Sequence, residues 1–219
     1  MPTNEFSQYV LRTTNAPAAT AFYEAVLGRH GDAVFPLHEQ AVARGARPHW
    51  LGLIDTSDPE GAAAPFLSSG GERLGPRPGG GLVLRDPGGA LIALGPAAAP
   101  STAGVSFHIM RSRQPERAAV LYSQVFGWAF GDRLEGGFRP LAWRPGAASV
   151  GVLGDAEEKA GVHAQWLFFF EVPSLEHAIV TAKGLGASML PSSALPDGRR
   201  YAAGDDPQGA AFGLMERAP

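Results

Sequence analysis

The chain contains itself twice. The segment AFYEAVLG at 21–28 returns as VLYSQVFG at 120–127, which puts Tyr23 and Tyr122 99 positions apart. HWLGLIDTSDPE, from His49, returns as QWLFFFEVPSLE, from Gln165, at an offset of 116. DPGGALIALG at 86–95 returns as DPQGAAFGLM at 206–215, at an offset of 120. Three segments repeated once, in the same order, mean two homologous domains rather than a solenoid. Between them lies GPAAAPSTAG, 95–104, whose Gly, Ala and Pro content reads as a linker. The expected division is therefore a domain over 1–97, a linker over 98–104 and a second domain over 105–219.

Each half divides again. QYVLRT (8–13) and FHIMRS (107–112) alternate as strands do. Each precedes a helix. In the first, Asn15 caps, Ala19, Phe22, Tyr23 and Val26 share one face, and Gly28 stops it; in the second, Ala118, Leu121, Tyr122 and Val125 match and Gly127 stops it. WLGLID and WLFFFEV open the same cycle once more. Ser174 caps a helix over 174–186 with Ile179, Ala182 and Leu185 inward, whereas its counterpart near 58–70 carries Pro59, Pro65 and two glycines. The reading is four strand–helix–strands modules near 5–48, 49–97, 104–160 and 163–217, an α+β chain.

Composition removes several functions. With 18 basic and 21 acidic residues the net charge is −3, and the sixteen arginines are scattered, so nucleic acid is not an expected partner. No apolar run approaches the roughly 20 residues that span a bilayer, so no membrane is expected either. The chain has no Cys, which excludes disulfides, thiolate nucleophiles and Cys-ligated metals. The opening MPTNEFSQ has neither a basic head nor an apolar core, and the expected location is the cytoplasm.

FYxxVxG after a strand, a later strand–helix unit and a closing DPxGxxxxL, all doubled, resemble the glyoxalase/bleomycin-resistance/dioxygenase superfamily, also called vicinal oxygen chelate. The HWL and QWLFFF openings look like its two-domain glyoxalase-like subgroup, often labelled hydroxylases. The resemblance implies tandem domains, each of two paired βαβββ modules forming a curved sheet with helices outside. It also implies metal-ligand positions, and those fall on Gln8, Leu51 and Ala93 in the first domain and on Phe107, Leu167 and Gly213 in the second. Only Gln8 offers a donor, where catalytic sites keep about three. A metal-free cup is the expectation, lined by Gln8, Val10, Leu51, Leu53 and Ala93 in one domain. In the other, Phe107, Ile109, Leu167, Phe169 and Gly213 line it. The expected partner is a small apolar or aromatic molecule held without a cofactor. The alternative is a divalent-metal-dependent lyase, isomerase or dioxygenase using Gln8, and cups filled by side chains are a third reading. Whether the chain catalyses anything stays open, as does monomer against homodimer.

Other residues read as structural. His108 lies one step past a ligand slot, so it faces the helices as a buried, hydrogen-bonded histidine. His38 and Glu39 fall in a loop, His49 precedes a strand and His177 lies on a helix surface. Trp50 and Trp166 pack under the helices, and Trp143 either packs or stacks on a ligand. Asp86, Asp205 and Asp206 belong to Asp-Pro-x-Gly turns. Arg200 begins an edge strand. The two cups are expected to differ, the one with Gln8 being the more polar.

Overall fold

A computed structural model describes residues 3–28, 34–77, 80–97, 104–156, 163–195 and 198–217. In chain order the elements are β1 (Phe6–Thr13), α1 (Ala16–Leu27), β2 (Val34–Pro36), α2 (Glu39–Ala43), β3 (His49–Asp55), α3 (Pro59–Ser68), β4 (Glu72–Pro76), β5 (Leu82–Arg85) and β6 (Leu91–Gly95). The second half gives β7 (Val105–Ser112), α4 (Pro115–Phe126), β8 (Ala129–Phe130), β9 (Arg139–Ala142), β10 (Gly151–Asp155), β11 (Gln165–Val172), α5 (Leu175–Gly184), β12 (Ser188–Met189), β13 (Ser193–Ala194), β14 (Arg200–Asp205) and β15 (Ala211–Glu216). The chain is α+β, as the doubled pattern implies. The linker expected over 98–104 lies, apart from Gly104, outside the described residues.

Contacts group the chain into two compact units. Unit one is Met1–Gln8, Leu51–Ser101 and His108–Trp166; unit two is Tyr9–Trp50, Thr102–Phe107 and Leu167–Pro219. Each takes one module from each half of the repeat.

Within unit one the strands run β3-β6-β5-β4 and β7-β10-β9-β8. Strands β3 and β6 are parallel, with Leu53 opposite Ala93, and β5 is antiparallel to β6, with Val83 opposite the same Ala93. Helices α3 and α4 cover this unit. Asp58 caps α3 by accepting from the Gly61 amide at 2.9 Å, and the helix tolerates Pro65 because its ten residues bury Ala63 and Phe66. Helix α4 ends at Gly127, held at φ 76°. It buries Ala118, Ala119, Leu121, Tyr122 and Phe126; Val125, expected on that face, is only half-buried, because Phe126 takes the inward place. The Phe66 and Tyr122 rings meet edge to face at 5.1 Å, and Tyr122 stacks on Trp128 at 5.1 Å.

Within unit two β1 pairs with β2 in parallel, and the second run is β11-β15-β14-β12, with β13 also on β14. Helix α1 matches its sequence pattern: Asn15 accepts from the Ala18 amide at 3.2 Å, Gly28 ends it at φ 65°, and Ala19, Phe22, Tyr23 and Val26 are buried.

Three local expectations are corrected here. Among the described residues the first module continues into one strand only, β2, after which residues 39–43 form α2, and His38 caps it, its Nδ1 accepting from the Gln40 amide at 3.3 Å. A ring nitrogen that caps a helix is bound there, so His38 and Glu39 are not a free loop. Helix α5 buries Leu175, Ala178 and Ala182 rather than Ile179 and Leu185. Leu185 is the C-cap, 46% exposed, because the helix ends there and its side chain leaves the packed face.

Candidate functional site

One face of the unit-one sheet is built from short aliphatic side chains. Leu51 and Leu53 on β3 and Ala93 on β6 form a buried cluster, with half-buried Val83 and Leu91 packed against it. Strand register explains the grouping: Leu53, Ala93 and Val83 lie side by side across three strands, so they share one face. Gln8 joins them from β1. The preceding Ser7 donates from Oγ to the Leu53 carbonyl at 3.3 Å, which sets Gln8 beside this row. Val10, expected in the same lining, belongs to unit two.

The polar group at this face is one the sequence did not single out. Arg77, just after β4, donates from Nη2 to Gln8 Oε1 at 2.7 Å and from Nη1 to the Gly80 carbonyl at 3.1 Å. In the sequence Arg77 stands between two prolines and before a run of glycines, which reads as a turn. Nothing in the string links it to a glutamine 69 positions away.

Unit two presents aromatic rings where unit one has aliphatic ones. Phe169 on β11 lies opposite Gly213 on β15. A Cβ on Gly213 would stand 2.3 Å from the Phe169 ring, so the ring occupies the space a side chain there would need. Phe107 meets Phe169 edge to face at 6.0 Å, and Tyr201 closes on Phe169 from the other side at 5.6 Å. The Arg199 guanidinium lies 5.3 Å from the Phe107 ring centre, a cation–π distance. Leu167 is half-buried on the same strand, and Ile109 falls in unit one. Of the second set, then, Phe107, Phe169 and Gly213 are brought together and Ile109 is not. Arg200 pairs with carboxylates of its own chain, Glu176 at 3.3 Å and Glu216 at 3.7 Å.

Behind each face lies a hydrogen-bonded chain that the repeat hinted at without revealing. In unit two Trp50 Nε1 donates to Tyr23 Oη at 3.0 Å, and that hydroxyl donates to Asp206 Oδ2 at 3.1 Å. In unit one Trp166 donates to Tyr122 at 3.3 Å, and Tyr122 to Asp86 at 3.0 Å. The other carboxylate oxygens hold the Asp-Pro-x-Gly turns, accepting from the Ala90 and Ala210 amides at 2.9 Å each. Burial pushes both carboxyls above their usual range, and burial together with the neighbouring carboxylate pushes both tyrosines far upward. The signal was present in the sequence, since Tyr, Trp and Asp are the residues kept between the copies.

His108 is buried, stacked 5.5 Å from Phe6, with Nδ1 2.9 Å from the Val150 carbonyl; burial lowers its pKa to about 4. Trp143 is half-buried and packs on Trp128 and His108 at 4.7 and 5.1 Å, at the edge of this aromatic cluster. His49 bonds the Arg47 carbonyl at 2.8 Å. A shallow depression lined by Asp86, Gly88, Gln114 and Arg117 encloses no volume that a water molecule could enter.

These residues do not fit a metal ion. Gln8, the one donor, already accepts from a guanidinium, which would repel a cation. Leu51, Leu53 and Ala93 offer only carbon, and the Gly213 position lies under a ring. Among the described residues no three His, Cys, Asp or Glu side chains converge.

No protein-family model matches the chain. A Mycobacterium bovis protein provisionally named glyoxylase CFP32 is 24% identical over 245 residues, which cover 95% of this chain and 93% of that protein; its Mycobacterium tuberculosis namesake gives the same figures. The solved structure of an Mn(II)-bound glyoxalase from Novosphingobium aromaticivorans superposes with a TM-score of 0.65 at 14% identity, over 98% of this chain and 82% of that one. A catechol 2,3-dioxygenase gives 0.61 at 14% identity, over 100% and 89%. The 2,2',3-trihydroxybiphenyl 1,2-dioxygenase from Sphingomonas wittichii gives 0.62 at 12%, over 98% and 90%. At such identities the structures speak for the fold alone.

Proposed function

Taking as premise that this chain has the fold of the glyoxalase/bleomycin-resistance/dioxygenase superfamily, we propose that it binds a small apolar or aromatic molecule without a metal ion, on the aliphatic face of unit one. One observation carries this reading: Leu51, Leu53 and Ala93 form an aliphatic floor, and the polar pair beside it, Gln8 and Arg77, is already hydrogen-bonded. An apolar floor with few polar groups is the lining of an organic-ligand site. Unit two supports the same choice, because Phe169 fills the matching place there. In this reading the domains keep the boundaries 1–97 and 105–219, the partner is a small molecule in the cytoplasm, and the chain works as a monomer or homodimer. No helix among the described residues is long and apolar enough to cross a membrane.

The test is metal content by elemental analysis, on protein purified without chelator and again after loading with Fe²⁺, Mn²⁺, Ni²⁺ and Zn²⁺. Melting curves with and without EDTA accompany it. Trace metal and an EDTA-insensitive melting point are the expected results. Near-stoichiometric, EDTA-removable metal would overturn the proposal in favour of a metal-dependent lyase, isomerase or dioxygenase.

A further inference from the structure

In unit two Arg12 is a half-buried cation without an anion. It lies on β1 opposite Phe35 on β2, and its guanidinium carbon sits 5.2 Å from the centre of that ring, a cation–π distance. Stacking engages the flat face of a guanidinium. The five N–H groups point outward in its plane and stay open to acceptors. Among the described residues none of them finds one, for Arg12 makes neither a hydrogen bond nor an ion pair. Partial burial lowers its pKa, and no carboxylate offsets that shift. Arginines taken out of water are ordinarily paired.

His49 stands beside it. This residue begins β3, the strand next to β1 in the sheet, and Arg12 is the one charged side chain that shifts its titration. Nδ1 lies 2.8 Å from the Arg47 carbonyl, which can only accept, so Nδ1 carries the ring proton. Burial first, and then the Arg12 charge, lower the pKa below 6.5. The ring is therefore neutral at about pH 7, and Nε2 presents a lone pair. No described group donates to it. The sealed, unpartnered side-chain atoms among the described residues are Ser106 Oγ and Gln208 Oε1. The open nitrogens of Arg12 and His49 are not among them, so solvent and a ligand can reach both.

The repeat supplies an internal control. Arg111 stands in the second copy where Arg12 stands in the first, and it too lies over a phenylalanine, 4.4 Å from the Phe138 ring centre. There Nη1 donates to the Asp155 carbonyl at 3.2 Å, and the counterpart of His49 is Gln165. The stacked arginine is common to both copies; the open donors and the neighbouring imidazole belong to one. A fully ionised oxyanion would suit Arg12 but would set its charge against the Nε2 lone pair. A singly protonated one suits both, since one oxygen accepts from Arg12 while an O–H donates to Nε2. Phosphate and phosphonates keep such a proton near neutral pH, and sulfate and sulfonates do not.

We infer that unit two carries a phosphoryl-binding site, with P–O⁻ on Arg12 and P–OH on His49 Nε2, for inorganic phosphate or a phosphonate. The site stands on residues of unit two alone and is independent of the unit-one reading.

The probes are inorganic phosphate and phenylphosphonate, each against its sulfur counterpart, sulfate and benzenesulfonate. They are titrated by calorimetry into wild type, Arg12→Met, Arg12→Lys, His49→Phe and Arg111→Met. At about pH 7.5 a neutral His49 does not supply the proton that the sulfur anions lack. Methionine keeps an apolar stem over Phe35 and phenylalanine keeps a ring, and both positions are half-buried, so the variants are expected to fold. Melting curves check that they do. Wild type is expected to bind phosphate or phenylphosphonate tenfold or more tighter than the sulfur counterpart. Whichever phosphorus probe binds tighter distinguishes a free anion from an organic one as occupant. Arg12→Met should lose all four probes and Arg12→Lys should recover part of the binding. His49→Phe should reduce the preference for phosphorus to less than twofold while anions still bind, and Arg111→Met should behave as wild type. Equal binding of phosphorus and sulfur probes by wild type, or a preference that survives His49→Phe, would overturn the assignment. So would binding that is lost with Arg111 rather than with Arg12, and binding of no probe at all would mean that water alone covers Arg12.

Discussion

Leu53, Ala93 and Gln8 in unit one stand where the repeat places Phe169, Gly213 and Phe107 in unit two. One set makes an aliphatic floor under a polar bridge; the other fills the same place with a ring. The exchange is balanced. Phe169 is larger than Leu53, and Gly213 has given up the Cβ that Ala93 keeps, because the ring stands 2.3 Å from where it would be. Core positions accept such paired changes when total volume is conserved. The buried networks behind the two faces did not diverge: Tyr23, Asp206 and Trp50 repeat as Tyr122, Asp86 and Trp166. A change there would leave a buried carboxylate or indole N–H without its partner, which costs about 1–3 kcal/mol per group. Floor residues carry no such partners, so duplication left them free to drift apart.

That contrast can be broken most forcefully at the filled face. Phe169→Ala empties the space over Gly213 and should destabilise by about 3–5 kcal/mol. Adding Gly213→Ala to it should recover part of the loss, whereas Gly213→Ala alone should destabilise by overpacking. Urea unfolding measures all three, and a Phe169→Ala cost below about 1 kcal/mol would mean that the ring is not the filler.

A second difference is ionisable. The repeat sets His108 in unit one against Tyr9 in unit two, and Tyr9 meets Phe168 edge to face at 4.9 Å. The His108 pKa falls from 6.5 to about 4 on burial, so the folded chain binds fewer protons than the unfolded one between those values. Its contribution is complete above pH 6.5 and is lost as the pH falls to about 4, a total of roughly 3 kcal/mol at about 1.4 kcal/mol per pH unit. Asp86 and Asp206, whose carboxyls are raised, act with the opposite sign, lending stability at low pH that fades as pH rises through their folded values. His108→Phe leaves them in place, so the difference between wild-type and variant denaturation curves from pH 7 to pH 4 isolates the histidine. A flat difference would remove this asymmetry between the units.

The smallest effect sharpens the comparison at the helix starts. Asn15 caps α1 through its side chain, while Gln114 makes no side-chain cap on α4 and instead accepts from Arg117 at 3.1 Å. Asn15→Ala should cost about 1 kcal/mol and Gln114→Asp should add a comparable amount. Shifts in Tm of opposite sign check the pair; a shared sign would mean that Gln114 serves α4 through Arg117.

Much of the fold was legible because it depends on local rules. The Asn15 cap, the Gly28 and Gly127 stops and the buried faces of α1 and α4 follow from spacing and from backbone conformations that few residues adopt. The failures were also local: α2 rests on the side-chain cap of His38, and on α5 Leu175 and Ala178 join the expected Ala182 on the buried face while Leu185 falls at the C-cap. At the candidate site, Leu51, Leu53 and Ala93 could be grouped in advance, since they lie on neighbouring strands at even spacing. Arg77 could not. Its role exists only when the strand run curls and brings the end of β4 to the start of β1.

By itself, the sequence determined the doubling, the strand–helix cycle within each copy, and the absence of thiols and of donors at most of the aligned ligand positions. Those properties reside in residue identity and short-range spacing. Tertiary structure alone decided that second and third modules group together, as do first and fourth, that Phe169 rather than a ligand lies over Gly213, and that Arg77 reaches Gln8. Each of these joins residues far apart in the chain, and such pairings are set by which packed arrangement leaves least apolar surface in water and fewest buried polar groups unpaired.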